Sequence, residues 1–392
     1  MANFDKNNKW DRLPKESKML EQIARPSLTY WQDAWRRLKK NVLSMIGLVV
    51  IIVIVLFAVL GPIFSGYSYS KQELDFANIP PTLEIFKTSD GKSFYVSKEY
   101  RLIETSEKGD LLARIPEENK DMVKKINTYS YDGMDIEIDY SIARKGGEKK
   151  FSLLVDGKEI TDTKKVRNKT YIFGSDTLGR DVYTRVLWGA RISLLVAFVA
   201  TLVNLLIGVV YGALSGYEGG RTDNIMMRIV DLIDTIPLLL YVILLMVVIG
   251  PGLKTIIITI GSVYWVGMAR LVRGQVLSLK EQEFVLAART LGVSKMKIIL
   301  KHLLPNAMGP ILVSMTMMIP GAIFTESFLS FIGLGVSAPR ASWGTLASDA
   351  LSSLRVYPYQ LLFPSLAICV TMLAFNFLGD GLRDALDPRL RK

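Results

Sequence analysis

The residues able to do chemistry are few in this chain, and they lie beside or within long apolar runs. Asp231 and Asp234 are three apart, so a helix puts both carboxylates on one face. Arg228 or the basic residues of the 273–306 loop would pair with them, and plain solvation at a helix end would serve equally. Glu326 sits in an apolar run, where a charge is costly unless paired or wet. A structural pair with an arginine such as Arg191 or Arg340 is the favoured reading, ahead of a gate or a place on a substrate path. Asp176, Arg180 and Asp181 are close enough to form a local ion and hydrogen-bond network, or to cap the helix that follows. The lone His302 reads as a helix-end residue and not a general base, and Cys369 as packing and not a nucleophile. One histidine leaves no His-based metal cluster, and one cysteine leaves no intrachain disulfide. No G-x-x-x-x-G-K-S/T loop occurs, and Gly216, Gly219 and Gly220 stand in a short loop without the Lys–Ser/Thr pair that cradles a nucleotide. With no acid–base or nucleophile set, a membrane enzyme is the least supported class.

The elements that carry these residues are membrane spans. Half of the 392 residues are hydrophobic, the mean hydropathy is +0.28, and the apolar residues gather in long runs. A spanning helix needs about twenty apolar residues, and six stretches qualify: 42–64, 191–214, 230–250, 254–272, 307–328 and 359–379. The fourth is the weakest, because Arg270 and Arg273 shorten its charge-free core; both would snorkel at its end. The first run begins only at Asn41 and is too long for a signal peptide's apolar region, so it reads as a retained anchor.

Charge orients the spans. The net charge is +11, yet segment 66–185 holds 21 basic and 21 acidic residues. The whole excess therefore flanks the apolar runs, the positive-inside pattern and not a nucleic-acid footprint. With Lys39 and Lys40 inside, six spans place 65–190 outside and both 273–306 and 380–392 in the cytoplasm. Both termini are then cytoplasmic in a multi-pass protein of the cell membrane. Ahead of the first span, Leu28, Trp31, Trp35 and Leu38 share one helical face beside Arg36, Arg37, Lys39 and Lys40, as in an interfacial elbow helix closing the 1–41 segment.

Between the first and second spans lies a segment, 65–172, long enough to bury a modest core. Met134, Ile136, Ile138, Tyr140 and Ile142 alternate with polar residues, as in a half-buried strand, and Phe151, Leu153 and Val155 alternate again. Asp156-Gly157 then offers a hairpin turn before Glu159-Ile160. The fold class expected is all-α in the membrane, with a β-rich extracytoplasmic insert between helices 1 and 2 and a transmembrane core over 173–392.

The 273–306 loop holds FVLAARTLGVSKMKIILKHLLPNAMGP at 284–310. A short helix over Phe284–Thr290 is expected to break near Gly292, with a second helix from about Ser294 to Leu303. Ala287 and Ala288 would offer a small flat surface to a partner, Gly292 would permit the bend, and Pro305 would stop the second helix. This loop resembles the coupling loop of ABC importer permeases of the dipeptide/oligopeptide branch, which includes nickel permeases. FGSDTLGRDVYTRVLWGARISL at 173–194, MRIVDLIDTIPLLL at 227–240, TESFLSFIGLGVSAPRASWGTL at 325–346 and NFLGDGLRDALDPRLR at 376–391 are similar to the same branch. Two departures stand out. Leu286 replaces the acidic residue that often precedes the Ala pair, and the connection from the first span to LGRD is usually far shorter.

The resemblance implies a six-helix permease subunit that imports peptides by alternating access. ATP and Mg would be bound by two partner ATPase subunits, with no cofactor in this chain. The other implied partners are a second homologous permease, an extracytoplasmic substrate-binding protein and the lipid bilayer, without nucleic acid. Leu286, Ala287, Ala288, Gly292 and Pro305 would couple to the ATPase, and Asp176, Gly179, Arg180, Asp181 and Glu326 would shape the external mouth or gate. Nickel or oligosaccharide cargo is the nearer alternative. A membrane receptor or sensor, using the insert to bind ligand, is the farther one; it leaves LGRD and the coupling loop unexplained. The insert would be a docking surface for the binding protein, a lid or a passive insertion.

Overall fold

The structure, a computed structural model, describes residues 29–88, 90–141 and 150–387. It opens with α1 (Tyr30–Lys40), fixed at its start by a capping box between Thr29 and Gln32. Ala34 and Leu38 are buried, while Trp31 and Trp35 point outward; Leu28, the first member of the expected stripe, lies outside the described residues. Asn41 caps α2 (Val42–Phe64), which is apolar on every side. Ser44 Oγ donates to the Phe377 carbonyl at 2.9 Å and ties α2 to the last helix.

Five helices among the described residues are long and apolar enough to cross a membrane. They are α2, α3 (Val182–Glu218), α6 (Leu253–Leu279), α8 (Lys295–Leu334) and α10 (Tyr359–Leu386). The expected third span differs. It is a pair, α4 (Gly220–Asp234) and α5 (Leu238–Ile249), bent by 80° at the break. The cause is Pro237, which has no N–H to continue α4 and sets the start of α5. At twelve residues α5 reaches only about 18 Å. Short helices α7 (Glu283–Thr290) and α9 (Trp343–Asp349) complete the set.

Pro305 was expected to end a helix, and it does not. Residues Ile299–Leu303 form a π turn in which the Leu304 N–H reaches the Ile299 carbonyl, and α8 runs on through the proline. The widened turn makes room for the ring, and Asn306 Nδ2 donates to the His302 carbonyl nearby. Gly216, expected in a loop, lies inside α3. With Gly208 and Gly212 it forms a stripe at four-residue spacing. A Cβ on these three would come within 2.8 Å of the Trp265 carbonyl, 2.3 Å of Ala269 and 2.8 Å of Arg273. Helices α3 and α6 thus meet backbone to backbone, which only small residues allow.

The insert is a two-sheet sandwich. Strands β1 (Thr82–Lys87), β2 (Ser93–Val96), β3 (Leu102–Thr105) and β4 (Leu111–Arg114) form one sheet with β10 (Thr163–Arg167), in the order β10-β1-β2-β3-β4. Strands β5 (Asn119–Asp121), β6 (Ile126–Tyr131), β7 (Met134–Asp139), β8 (Ser152–Val155) and β9 (Lys158–Glu159) form the other in chain order, and each pairing is antiparallel. Phe94, Val96 and Leu102 of the first sheet pack on Ile136, Ile138 and Leu153 of the second. The other face of the first sheet buries Leu83, Ile85 and Ile103 against Ile79 and Tyr171. The expected strand at Met134 is β7 (Met134–Asp139), with its apolar residues in and its acids out. Its expected end at Ile142 lies outside the described residues. Strands β8 (Ser152–Val155) and β9 (Lys158–Glu159) form the foreseen hairpin, with both Asp156 and Gly157 at positive φ.

Candidate functional site

At the insert end of the bundle, residues 176–181 make a tight turn ahead of α3. Asp176 accepts four hydrogen bonds. Its Oδ1 takes the N–H groups of Leu178 and Arg180 at 2.9 Å, and its Oδ2 takes Arg180 Nε and Arg185 Nη1 at 2.6 Å. All three side chains are buried, and Asp349 at the end of α9 approaches both guanidiniums more loosely, at 3.9 and 3.5 Å. Asp181 stands apart from this network. Its carboxylate caps α3 through the Thr184 N–H and hydroxyl, and burial pushes its pKa up against those hydrogen bonds. Sequence reasoning joined Asp176 to Arg180 correctly and missed Arg185, nine residues on.

Gly179 serves the fold here. Its φ is +72°, and a Cβ would lie 1.8 Å from the Glu73 carbonyl oxygen, so chain entering the insert crosses directly over it. The insert is fastened at this point and at a second. Gln360 Nε2 donates to Asn78 Oδ1 and the Ser175 carbonyl at 3.0 and 3.1 Å. Tyr357 and Asn78 both donate to Glu99 Oε1 at 2.9 Å. These bonds tie the sandwich to the start of α10.

Glu326 of α8 is fully buried, but no arginine meets it. Its partners among the described residues are serine hydroxyls: Ser193 of α3 at 2.8 Å, Ser330 at 2.8 Å, and Ser327 at 3.5 Å. Ser342 donates onward to Ser330 and the Trp343 N–H to Ser193, both at 3.3 Å. The expected arginine pair is replaced because Arg191 turns away. Its guanidinium donates to the Ala58 and Val59 carbonyls of α2 and stacks on Trp188. Glu326 thus joins α3, α8 and the start of α9 by hydroxyl hydrogen bonds.

At the far end, Asp231 and Asp234 share one face of α4 and pair with Arg270 of α6 at 2.9 and 2.7 Å. Neither Arg228 nor the loop is their partner. Asp223 takes Arg273 in a two-pronged pair, both contacts at 2.6 Å, and accepts the Ser215 hydroxyl. The two arginines that weakened the expected fourth span are therefore paired to α4. Next to them, α7 buries Val285 and Ala288 against Val272, Val276, Ile298 and Leu303. The expected Ala287–Ala288 surface is only half formed, because adjacent helical residues diverge: Ala288 is 6% exposed and faces inward. The outer face carries Ala287 with Leu286, 44% exposed, and Leu291, 82% exposed. Gly292 has φ +71° with open space where its Cβ would be. Arg289 lies over Tyr217, and Lys295 pairs with Glu218, both at the end of α3.

Residues 208–392 match the family described as "Binding-protein-dependent transport system inner membrane component", and residues 29–81 match "N-terminal TM domain of oligopeptide transport permease C". Over 372 residues the chain is 42% identical to the oligopeptide transport system permease protein OppC of Bacillus subtilis (strain 168), with 95% of this chain and 94% of that protein covered. The chain belongs to this permease family. It is also 42% identical over 387 residues to the dipeptide transport system permease protein DppC of the same organism, covering 98% of this chain and 94% of the relative. Identity to DppC of Lactococcus lactis subsp. cremoris (strain MG1363) is 37% over 382 residues, covering 96% and 95%. An inward-facing structure of the MetNI methionine ABC transporter is 18% identical, with TM-score 0.42, covering 53% of this chain and 96% of that one. These long coverages take in the permease's insert as well as its spans. Neither the seat of α7 on Tyr217 and Glu218 nor the glycine stripe was read from sequence, although four-residue glycine spacing was there to find.

Proposed function

We propose that this permease is the translocation subunit of an ATP-driven peptide importer, working beside a second permease, two ATPase subunits and a binding protein. The peptide cargo follows the names of its relatives, oligopeptide and dipeptide permeases. The basic 273–306 loop and both termini then face the cytoplasm, and the insert faces outward. The observation that carries the coupling role is the one-sided burial of α7. One face is packed into α6 and α8, while Leu286, Ala287 and Leu291 stay open for a partner. A motor subunit gripping that open face would move α7 as a lever, and the packed face would pass the motion to the spans. The chain supplies no reactive group to this step; it supplies rigidity. Asp176, Gly179, Arg180, Asp181 and Glu326 hold the outer end in shape instead of touching cargo.

Affinity purification from the native membrane, with mass spectrometry of associated chains, tests this. Two ATPases and a second permease are expected, depleted by Gly292→Arg once insertion of that variant is verified. A preparation free of any ATPase in mild detergent would refute the importer reading and favour a receptor.

A further inference from the structure

The two sheets of the insert do not cover each other along their whole width. Thr82, Glu84 and Phe86 of β1 share the face turned toward the second sheet, and pairing with β10 sets Arg167, Lys165 and Thr163 opposite them. At Phe86 the sheets touch, through a ring contact with Phe151 at 5.6 Å. Toward Thr82 they part, leaving a cleft of about 780 Å³, a size that suits a small organic ligand. Tyr100 and Phe151 form its wall, Lys98 and Lys150 stand in its lining, and Val356, just ahead of α10, closes one side.

The charge here is unbalanced. The segment 66–185 as a whole is neutral, yet among the described residues the cleft is lined by Lys98 and Lys150 with the single acid Glu84, while Lys165 and Arg167 stand across from β1 on β10. Lys98 and Lys150 line the same cleft, and burial first, with the Lys150 charge second, lowers the Lys98 pKa. A carboxylate placed between them would find two cationic partners. The β1 floor from Thr82 to Phe86 runs about 14 Å, the reach of about four extended residues. Aromatic walls beside a cationic pair suit a ligand with an apolar side chain next to a carboxylate.

We propose that this cleft binds short peptides, with the C-terminal carboxylate at Lys98 and Lys150 and an apolar side chain against Phe86, Tyr100 and Phe151. The ligand class rests on the peptide reading above. The site would hold cargo on the permease itself, next to the loop that leads into α10.

The full chain in lipid nanodiscs, without other subunits, tests this by fluorescence anisotropy. The probe is an N-terminally fluorescein-labelled pentapeptide, Ala-Ala-Phe-Ala-Leu, as the free acid and as the C-terminal amide. Saturable binding of the acid is expected, with the amide about ten-fold weaker. Lys150→Gln should weaken the acid several-fold, and Lys98→Gln likewise; Lys150 is the cleaner position, because Lys98 also donates to the Val356 carbonyl. Lys108→Gln, on an exposed turn elsewhere in the insert, should change nothing. Equal affinity for acid and amide, insensitivity to both lysines, or no saturation overturns the proposal. It fails too if the lysine variants instead lose affinity for the purified binding protein while the peptide never saturates. Failure here with intact uptake by the assembled transporter refutes the cleft alone, whereas a missing ATPase partner refutes the importer.

Discussion

Replacing Asp176 by alanine should loosen the insert end of the bundle far more than any surface charge change. The carboxylate is the firm partner of two guanidiniums whose side chains are 7% and 5% exposed, at 2.6 Å each. Without it, both cations face Asp349 alone, at 3.9 and 3.5 Å, and that side chain is 55% exposed. Removing one member of a buried pair costs about 3–5 kcal/mol, because the charge left behind is uncompensated. Asp176→Asn keeps an acceptor for the Leu178 and Arg180 N–H groups and should lose about half as much. Thermal unfolding of the purified chain, followed by tryptophan fluorescence, reads the difference. At about 2–4 °C per kcal/mol, the alanine variant should melt roughly 6–20 °C lower. Adding Arg185→Met to Asp176→Ala should recover part of that loss, since it removes one stranded charge. An alanine variant within about 2 °C of the parent, or a double variant that falls further, would falsify this account.

The other predictions use the same melting assay. Glu326→Ala strands buried serine hydroxyls and should cost about 1–3 kcal/mol, with Glu326→Gln milder; equal damage from both would contradict the hydroxyl cage. Arg273→Gln breaks the pair with Asp223, whose side chain is 8% exposed, and should cost about 3 kcal/mol or more. Arg270→Gln breaks a pair about half exposed on both sides and should cost no more than about 1 kcal/mol; the reverse order would sink the burial argument. Hydrogen bonds from Lys71 and then Tyr171 hold the Glu73 pKa below the ordinary carboxylate value. Its stabilisation is therefore present above the unfolded pKa of about 4.3 and is lost as pH falls through the lower folded value. Glu73→Gln should remove that part of the acid sensitivity, and an unchanged pH profile would show that Glu73 does not contribute.

The first span was legible to the residue, because α2 faces outward almost everywhere and reads as an unbroken apolar run. The starts of α3 and α8 were not. Their leading turns carry Arg185, Lys295 and Lys297, which hydropathy scores as loop although α3 buries its arginine against Asp176. The break at Pro237 was hidden because apolar residues continue on both sides of it. In the insert, β7 alternates openly since one face meets water. Strand β2 is buried along its whole length, so the period of two that betrays a strand is absent. Helix α7 was placed to within a residue, but which alanine faced inward depended on packing against residues far along the chain. The partners of Asp231, Asp234 and Glu326 were out of reach for the same reason.

The way the insert joins the bundle has a consequence for how such a chain can change. Its two ends run side by side: the Glu73 N–H meets the Leu178 carbonyl at 3.2 Å, and the Asn78 N–H meets the Asp176 carbonyl at 2.9 Å. A turn of a few residues could close the same gap, since the free energy of closing a loop grows only slowly with its length. The sandwich is therefore a detachable cassette, which a gene can shorten, lengthen or exchange between positions 73 and 178 without re-threading a single helix.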